Sequence, residues 1–304
     1  MAKKPVIVLM YDFDNTLSPS DMQTYTFMPM VGTNPAEFWS KADELCKNEK
    51  MDPNLAYMYL MLEKAKEKGI RPTRKWMVGL GQGVQLYPGL TKWFERLGEY
   101  ATKLNCNIEH YVISSGIKEM IEGTNIYKYF TRVYACEYFY GEDGTAVWPK
   151  NVVNYTTKTQ FLFRISKGAF ELDDSNVVNQ HMPEIQKHAP FRNMIYIGDG
   201  STDIPCMQLV RDRGGESIAV YPDAKNKAIA ENLLAENRVS FIEKADYSAN
   251  SSLDKIVKEI IDKMISFTIL SKDEIVKEII DKMVKKDLLE QKRNNQTNQL
   301  PDDA

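Results

Sequence analysis

Histidine and cysteine are scarce, and neither occurs in a cluster. The three histidines (His110, His181, His188) are scattered, and the four cysteines (Cys46, Cys106, Cys136, Cys206) lie far apart with no C-x-x-C pair. That argues against a disulfide framework or a Cys/His zinc site and reads as isolated thiols of a reducing compartment. An excess of basic charge is also missing. Lys and Arg number 39 against 42 Asp and Glu, a formal net charge of −3, so no nucleic-acid partner is expected. Long apolar runs are absent from the N-terminal region. Val6–Met10 spans only five residues, whereas a signal-peptide core needs about 7–15 and a membrane-spanning helix about 20. The expectation is a cytoplasmic chain with no membrane partner.

What is present supports a folded enzyme-sized chain. Its 304 residues are 43% apolar, enough for a sizeable core, and the length suits about two domains or one α/β domain with an insertion. Pro5–Tyr11 is β-branched and continuously apolar, the pattern of a strand buried on both faces. Similar short strands are expected at Asn107–Ile113, Met194–Ile197 and Ser217–Val220, with a hairpin formed by Val133–Phe139 and Thr145–Trp148. Helical patterns at Leu90–Tyr100, Ile117–Ile121 and Thr159–Ile165 alternate with them. This rhythm predicts a Rossmann-like, mostly parallel sheet flanked by helices. Residues 35–80 differ: Phe38, Trp39, Leu45, Tyr59, Leu62 and Trp76 recur among charges without strand-like alternation, which reads as several helices with breaks near Pro53 and Gly69–Pro72. They read as an inserted helical module, mostly core-forming, with one or two rings facing a substrate. Gly79, Gly81 and Gly83 read as the returning linker, since no strand precedes them to make a dinucleotide loop.

The polar residues that end these strands form an ordered set. Asp12-Phe13-Asp14-Asn15-Thr16 follows the first strand, and two carboxylates one residue apart suit a nucleophile and a proton donor. Two anions facing a phosphate need a hard cation, for which Mg²⁺ is the ordinary oxygen-seeking choice. Gly198-Asp199-Gly200-Ser201-Thr202-Asp203 supplies two further carboxylates at another strand end. Ser114, with the N–H groups of Ser115 and Gly116 at a helix start, offers phosphate donors, and Lys158 offers a fixed positive charge. Taken singly, each is most simply a turn, a cap or a solvated lysine. In combination and in order they are specific.

This set resembles the haloacid dehalogenase (HAD) superfamily, within it the phosphoserine-phosphatase-like branch, over residues 5 to about 250. The resemblance implies that Asp12 is a nucleophile forming an aspartyl phosphate and Asp14 the general acid and base. It implies that Ser114, Ser115, Gly116 and Lys158 bind phosphate, and that Asp12, Asp14 (through its carbonyl), Asp199 and Asp203 hold Mg²⁺. An acid at position 14 points to a phosphatase rather than a dehalogenase. The implied organisation is a catalytic core of residues 1–17 and 86–265, a helical cap of 18–85, and a C-terminal helical extension with a disordered tail at 266–304. The long interval from Lys158 to Asp199 departs from the family pattern. It leaves Lys167 as a rival and makes residues 171–190 an inserted loop. The expected activity is Mg²⁺-dependent hydrolysis of a small phosphate monoester. A phosphotransferase or phosphomutase would use the same residues, and a receiver-like signalling module would share part of them but not Asp14 or the cap.

The C-terminal region repeats itself. Ile256–Met264 recurs identically as Ile275–Met283, and both copies carry a helical apolar stripe. On one continuous helix the stripes would lie about 100° apart. A break near Ser266–Ser271 is therefore expected, with Ser271 and Glu274 capping a second helix that folds back or mediates self-association.

Overall fold

The computed structural model of the chain describes residues 4–270 apart from Ser201. Its centre is β1 (Val6–Tyr11), buried at every position, as a strand covered on both faces must be. The other strands are β2 (Asn107–Ile117), β3 (Arg132–Tyr140), β4 (Ala146–Asn151), β5 (Met194–Gly198), β6 (Glu216–Tyr221) and β7 (Phe241–Lys244). They form one sheet in the order β4-β3-β2-β1-β5-β6-β7. Every pairing is parallel except the β3–β4 hairpin. β1 pairs with β2 up to Tyr11↔Val112 and with β5 up to Tyr11↔Ile197. The carboxyl ends of these three strands therefore lie side by side, where open α/β sheets present their ligand sites.

Helices α1 (Phe27–Met30), α2 (Pro35–Glu49), α3 (Pro53–Glu67) and α4 (Arg74–Gly81) occupy the segment after β1. They are followed along the chain by α5 (Leu90–Lys103), α6 (Lys118–Glu122), α7 (Lys158–Lys167), α8 (Ser175–Asn179), α9 (Ile204–Asp212), α10 (Ala224–Ala235) and α11 (Ser252–Leu270). The breaks near Pro53 and Gly69–Pro72 fall where the prolines and caps dictate. Asn34, Asp52 and Thr73 accept the first free N–H groups of α2, α3 and α4, and Pro35 and Pro53 sit at first helical positions that need no donor. The reading of Gly79 and Gly81 as linker is corrected: both belong to α4. Gly81 serves helix packing instead. A Cβ on Gly81 would strike the Met120 carbonyl of α6, and one on Gly123 would strike the Val78 carbonyl. The two backbones meet here because neither carries a side chain.

The first repeat copy, in α11, buries Leu253, Val257, Ile260, Ile261, Met264 and Ile265. Asp254, also buried, accepts Arg96 Nε of α5 and Lys258 Nζ at 2.8 Å each. The expected break is not found over 266–270, because α11 continues through Ser266 to Leu270. No proline or glycine interrupts this stretch, and Thr268 Oγ1 donates to Asn193 Oδ1 at 3.2 Å, holding the last turn to the core. Ser271, the second copy at Ile275–Met283 and the segment beyond Lys292 lie outside the described residues. β7 was not expected from sequence. It is a short edge strand in which two of four residues are charged, so it lacks the apolar run of the others.

A buried polar relay lies beneath the sheet's central strand. Trp93 Nε1 donates to Tyr11 Oη at 3.0 Å, and Tyr11 Oη lies 3.0 Å from His110 Nδ1. Burial holds the His110 pKa down at about 3, against about 6.5 in an unfolded chain. Between those values only the unfolded state takes up the proton. Stability from this group is complete above pH 6.5 and is lost progressively as the pH falls towards 3. Urea unfolding at pH 7 and pH 5.5 tests this. We expect His110→Gln, which keeps an acceptor for Tyr11, to show a shallower pH slope than the wild type, by up to ~1.4 kcal/mol per pH unit.

Candidate active site

The chain turns sharply after β1. Thr16, Leu17 and Ser18 all direct their N–H groups at the Phe13 carbonyl, at 3.3, 2.8 and 3.0 Å. Asn15 adopts a left-handed conformation at φ 58°, which asparagine tolerates better than most residues. Asp12 N donates to the Ile197 carbonyl at 3.0 Å, extending the β1–β5 ladder and fixing the Asp12 backbone. Asp14 is held by a different segment. Its Oδ1 accepts the Met22 N–H at 2.9 Å, and a Cβ on Gly116 would come within 3.0 Å of its Oδ2.

Lys158, the first residue of α7, is 0% exposed. Its Nζ lies 2.7 Å from Asp203 Oδ1 and 3.1 Å from Asp12 Oδ1, and it donates to Thr202 Oγ1 at 3.2 Å. Burial works against the ammonium, but Asp12 and Asp203 together outweigh it and hold the pKa above its ordinary value. Tyr196 Oη also donates to Asp203 Oδ1, at 2.8 Å. Lys167, the rival, points elsewhere: its Nζ donates to the carbonyls of Val178 and Gln180, in the loop that contains α8. Lys158 alone of the two reaches the carboxylates.

Asp12, Asp199 and Asp203 each direct a carboxylate oxygen into a space where all three lie within 4.8 Å of one another. Burial, followed by the charges of Asp203 and Asp199, pushes the Asp12 carboxyl up to about 8 against the opposing pull of Lys158. Asp14 is raised well above the usual carboxylate range by burial, then by Asp21 and Asp12. Asp12 Oδ1 and Asp203 Oδ2 are buried without an aligned hydrogen-bond donor. An all-oxygen set of three mutually repelling carboxylates, with Asp203 Oδ2 left without a donor, fits a hard divalent cation. The Asp14 carboxylate lies outside this trio.

The Ser114–Gly116 stretch differs from the expected helix start. β2 continues to Ile117, with its register to β3 shifting between Ile113 and Ile117, and α6 begins only at Lys118. Gly116 N donates to Ser114 Oγ at 3.0 Å and Ile117 N to Met22 Sδ at 3.3 Å. The side chain of Ser114 thus takes up the Gly116 N–H expected to bind phosphate, and the sulfur of Met22 takes up that of Ile117. The Ser115 Oγ is buried without a partner.

A cavity of about 200 Å³ opens above these groups, lined by Asp12, Asp14, Ser114, Ser115 and Asp199 on the sheet side. Its opposite wall comes from the segment between β1 and α5 and includes Asp21, Gln23, Trp39, Asp43 and Tyr57. Sequence reasoning did not single these residues out. Only the aromatic content of residues 35–80 hinted at Trp39 and Tyr57, since no spacing rule links an isolated side chain on one helix to a strand end elsewhere.

The sequence profile of the haloacid dehalogenase-like hydrolases matches residues 9–208. An uncharacterized protein of Borreliella burgdorferi is 27% identical over 287 residues, covering 85% of this chain and 98% of that relative. Among solved structures, a HAD family hydrolase from Salmonella enterica subsp. enterica serovar Typhi is similar at a TM-score of 0.54 and 12% identity, over 85% of this chain and 72% of that one. A substrate-bound phosphoserine phosphatase is similar at a TM-score of 0.51 and 16% identity, over 85% of this chain and 99% of that one.

The geometry around Lys158 predicts a stability effect apart from any activity. Lys158→Met leaves two buried carboxylates facing each other without a cation, and we expect a loss of about 3 kcal/mol in denaturant unfolding. Adding Asp203→Asn should recover part of that loss, because it removes one of the uncompensated charges.

Proposed function

The chain belongs to the haloacid dehalogenase-like hydrolase family, and on that premise we propose that it is a Mg²⁺-dependent phosphatase of small phosphate monoesters. The observation that carries this reading is the juxtaposition of Asp12 and Asp14 at one strand end with Lys158, Asp199 and Asp203 around them. Asp12 is the nucleophile. One of its carboxylate oxygens attacks phosphorus, the bond from phosphorus to the ester oxygen breaks, and an aspartyl phosphate forms. Asp14 gives its proton to the departing alkoxide. It then takes a proton from the water that attacks the aspartyl phosphate, so that inorganic phosphate leaves and Asp12 is restored.

Mg²⁺ would be held by Asp12, Asp199 and Asp203 with the Asp14 carbonyl, and would supply positive charge against the phosphoryl oxygens. Lys158 adds a fixed charge at Asp12, while Ser114 and Ser115 supply hydroxyls for the phosphate oxygens. The segment 18–85 acts as a cap, carrying side chains that meet the alcohol part of the substrate. The core comprises 1–17 and 86–265, and the repeat beyond it serves packing or self-association. An acid at position 14 favours hydrolysis over dehalogenation, which has no alkoxide to protonate.

Release of inorganic phosphate from an aryl phosphate tests the reading directly. We expect turnover that requires Mg²⁺ and that Asp12→Asn abolishes without altering the far-UV circular dichroism, because nucleophile, cation and clamp act as a unit. Retention of a tenth of wild-type turnover would remove Asp12 from its role. Asp14→Asn should behave differently. With an activated aryl leaving group that needs little protonation, the aspartyl phosphate should still form in single-turnover experiments, then hydrolyse slowly. Equal impairment of both half-reactions for every leaving group would refute Asp14 as the acid and base.

A further inference from the structure

The wall of the cavity opposite Asp12 has a chemistry of its own. No Lys, Arg or His is among the described residues that line the cavity. On the reading above, Lys158 and the divalent cation balance Asp12, Asp199 and Asp203. Asp21, partly buried beside Trp39 and Asn15, and the exposed Asp43 are then left as two further carboxylates on the cap side, and no basic group lines the cavity with them. The same wall carries two aromatic rings. Trp39 packs edge-on against Tyr57 with ring centroids 5.9 Å apart at 71°. Tyr57 Oη donates to the Ser115 carbonyl at 2.5 Å, which ties this aromatic corner to the phosphate end of the cavity.

A third feature points to a hydrogen-bond donor on the ligand. Gln23 lines the same cavity and is only 2% exposed, yet its Oε1 has no donor. Buried acceptors are normally satisfied. Two carboxylates, an aromatic corner and an unfilled amide acceptor all favour a small cation bearing N–H groups. The same wall disfavours a second anion on the substrate, because a carboxylate would meet Asp21 and Asp43 with no basic residue to receive it. A volume of about 200 Å³ suits a small alcohol part.

We propose that the substrate is the phosphate monoester of a small amino alcohol, with a primary ammonium a few bonds from the ester oxygen and no carboxylate. This rests on the phosphatase reading. The ammonium lies against Trp39 and Tyr57, donates to Gln23 Oε1 and is balanced by Asp21 and Asp43.

Two measurements on the full chain with Mg²⁺ test it. Steady-state phosphate release is compared for 2-aminoethyl phosphate, its neutral isostere propyl phosphate, and phosphoserine, with p-nitrophenyl phosphate as a generic substrate. We expect kcat/KM for the aminoethyl ester to exceed that for the propyl ester by ~10-fold or more, and to exceed that for phosphoserine. The double variant Asp21→Asn/Asp43→Asn should bring the aminoethyl-to-propyl ratio near one. A propyl ester turned over equally well, a preference for phosphoserine, or a ratio that the double variant leaves at its wild-type value overturns the assignment. Absence of turnover with every ester, p-nitrophenyl phosphate included, would refute the phosphatase reading instead. Titration calorimetry then decides the inference by itself: the aminoethyl ester should bind ~10-fold tighter than the propyl ester, and equal affinities overturn it.

Discussion

A fully buried ammonium between two buried carboxylates organises this protein's centre. Burial disfavours the Lys158 ammonium, and Asp12 and Asp203, at 3.1 and 2.7 Å, outweigh that penalty and keep it charged. In a dry interior an unmatched charge costs several kcal/mol, so the three residues must be delivered to one point together. Three elements do this: the end of β1 carries Asp12, the start of α7 carries Lys158, and the start of α9 follows Asp203. Packing around Asp203 leaves little slack. Tyr196 on β5 donates to its Oδ1, and Gly198 lies so near its carboxylate that a Cβ would collide with it.

The site has two walls with separate physical duties. The sheet side concentrates the carboxylates and hydroxyls, held by backbone ladders that a neighbouring segment cannot easily disturb. The helical segment after β1 supplies the facing wall, and a few contacts tie it to the sheet. Met22 is the most economical of these, giving its N–H to Asp14 and its sulfur to the Ile117 N–H. Tyr57 makes another through the Ser115 carbonyl. Small shifts of this segment would therefore be felt at Asp14 and at the β2 terminus at once.

Legibility in the sequence followed the range of the interactions. β1, β2, β5 and β6 were readable because a strand buried on both faces needs a short continuous apolar run. The helix breaks at Pro53 and Gly69–Pro72 were readable because caps and prolines act within a few residues. Gly79 and Gly81 belong to α4 and not to a linker, and what requires a glycine at 81, contact with the backbone of α6, involves a partner some forty residues away. The Ser114–Gly116 segment was misplaced for a similar reason, since its strand-like continuation depends on β3 and Met22. The break expected before Ser271 assumed that two stripes compete for one helix, whereas the first stripe and Thr268 hold α11 straight as far as Leu270.

The order of Asp12, Asp14, Ser114, Lys158, Asp199 and Asp203 along the chain was a property of the sequence alone, and so was the family resemblance it carries. So too was the alternation of apolar strands and amphipathic helices that makes a parallel sheet the economical fold. These features depend on neighbours in the chain or on fixed spacings, which periodicity and residue chemistry report directly. That Lys158 and not Lys167 reaches Asp12 and Asp203, the acceptors of the Gly116 and Ile117 N–H groups, and the composition of the wall opposite Asp12 were decided only by tertiary structure. Each depends on how far apart two side chains lie after the chain has turned back on itself many residues later, and one-dimensional spacing does not contain that distance.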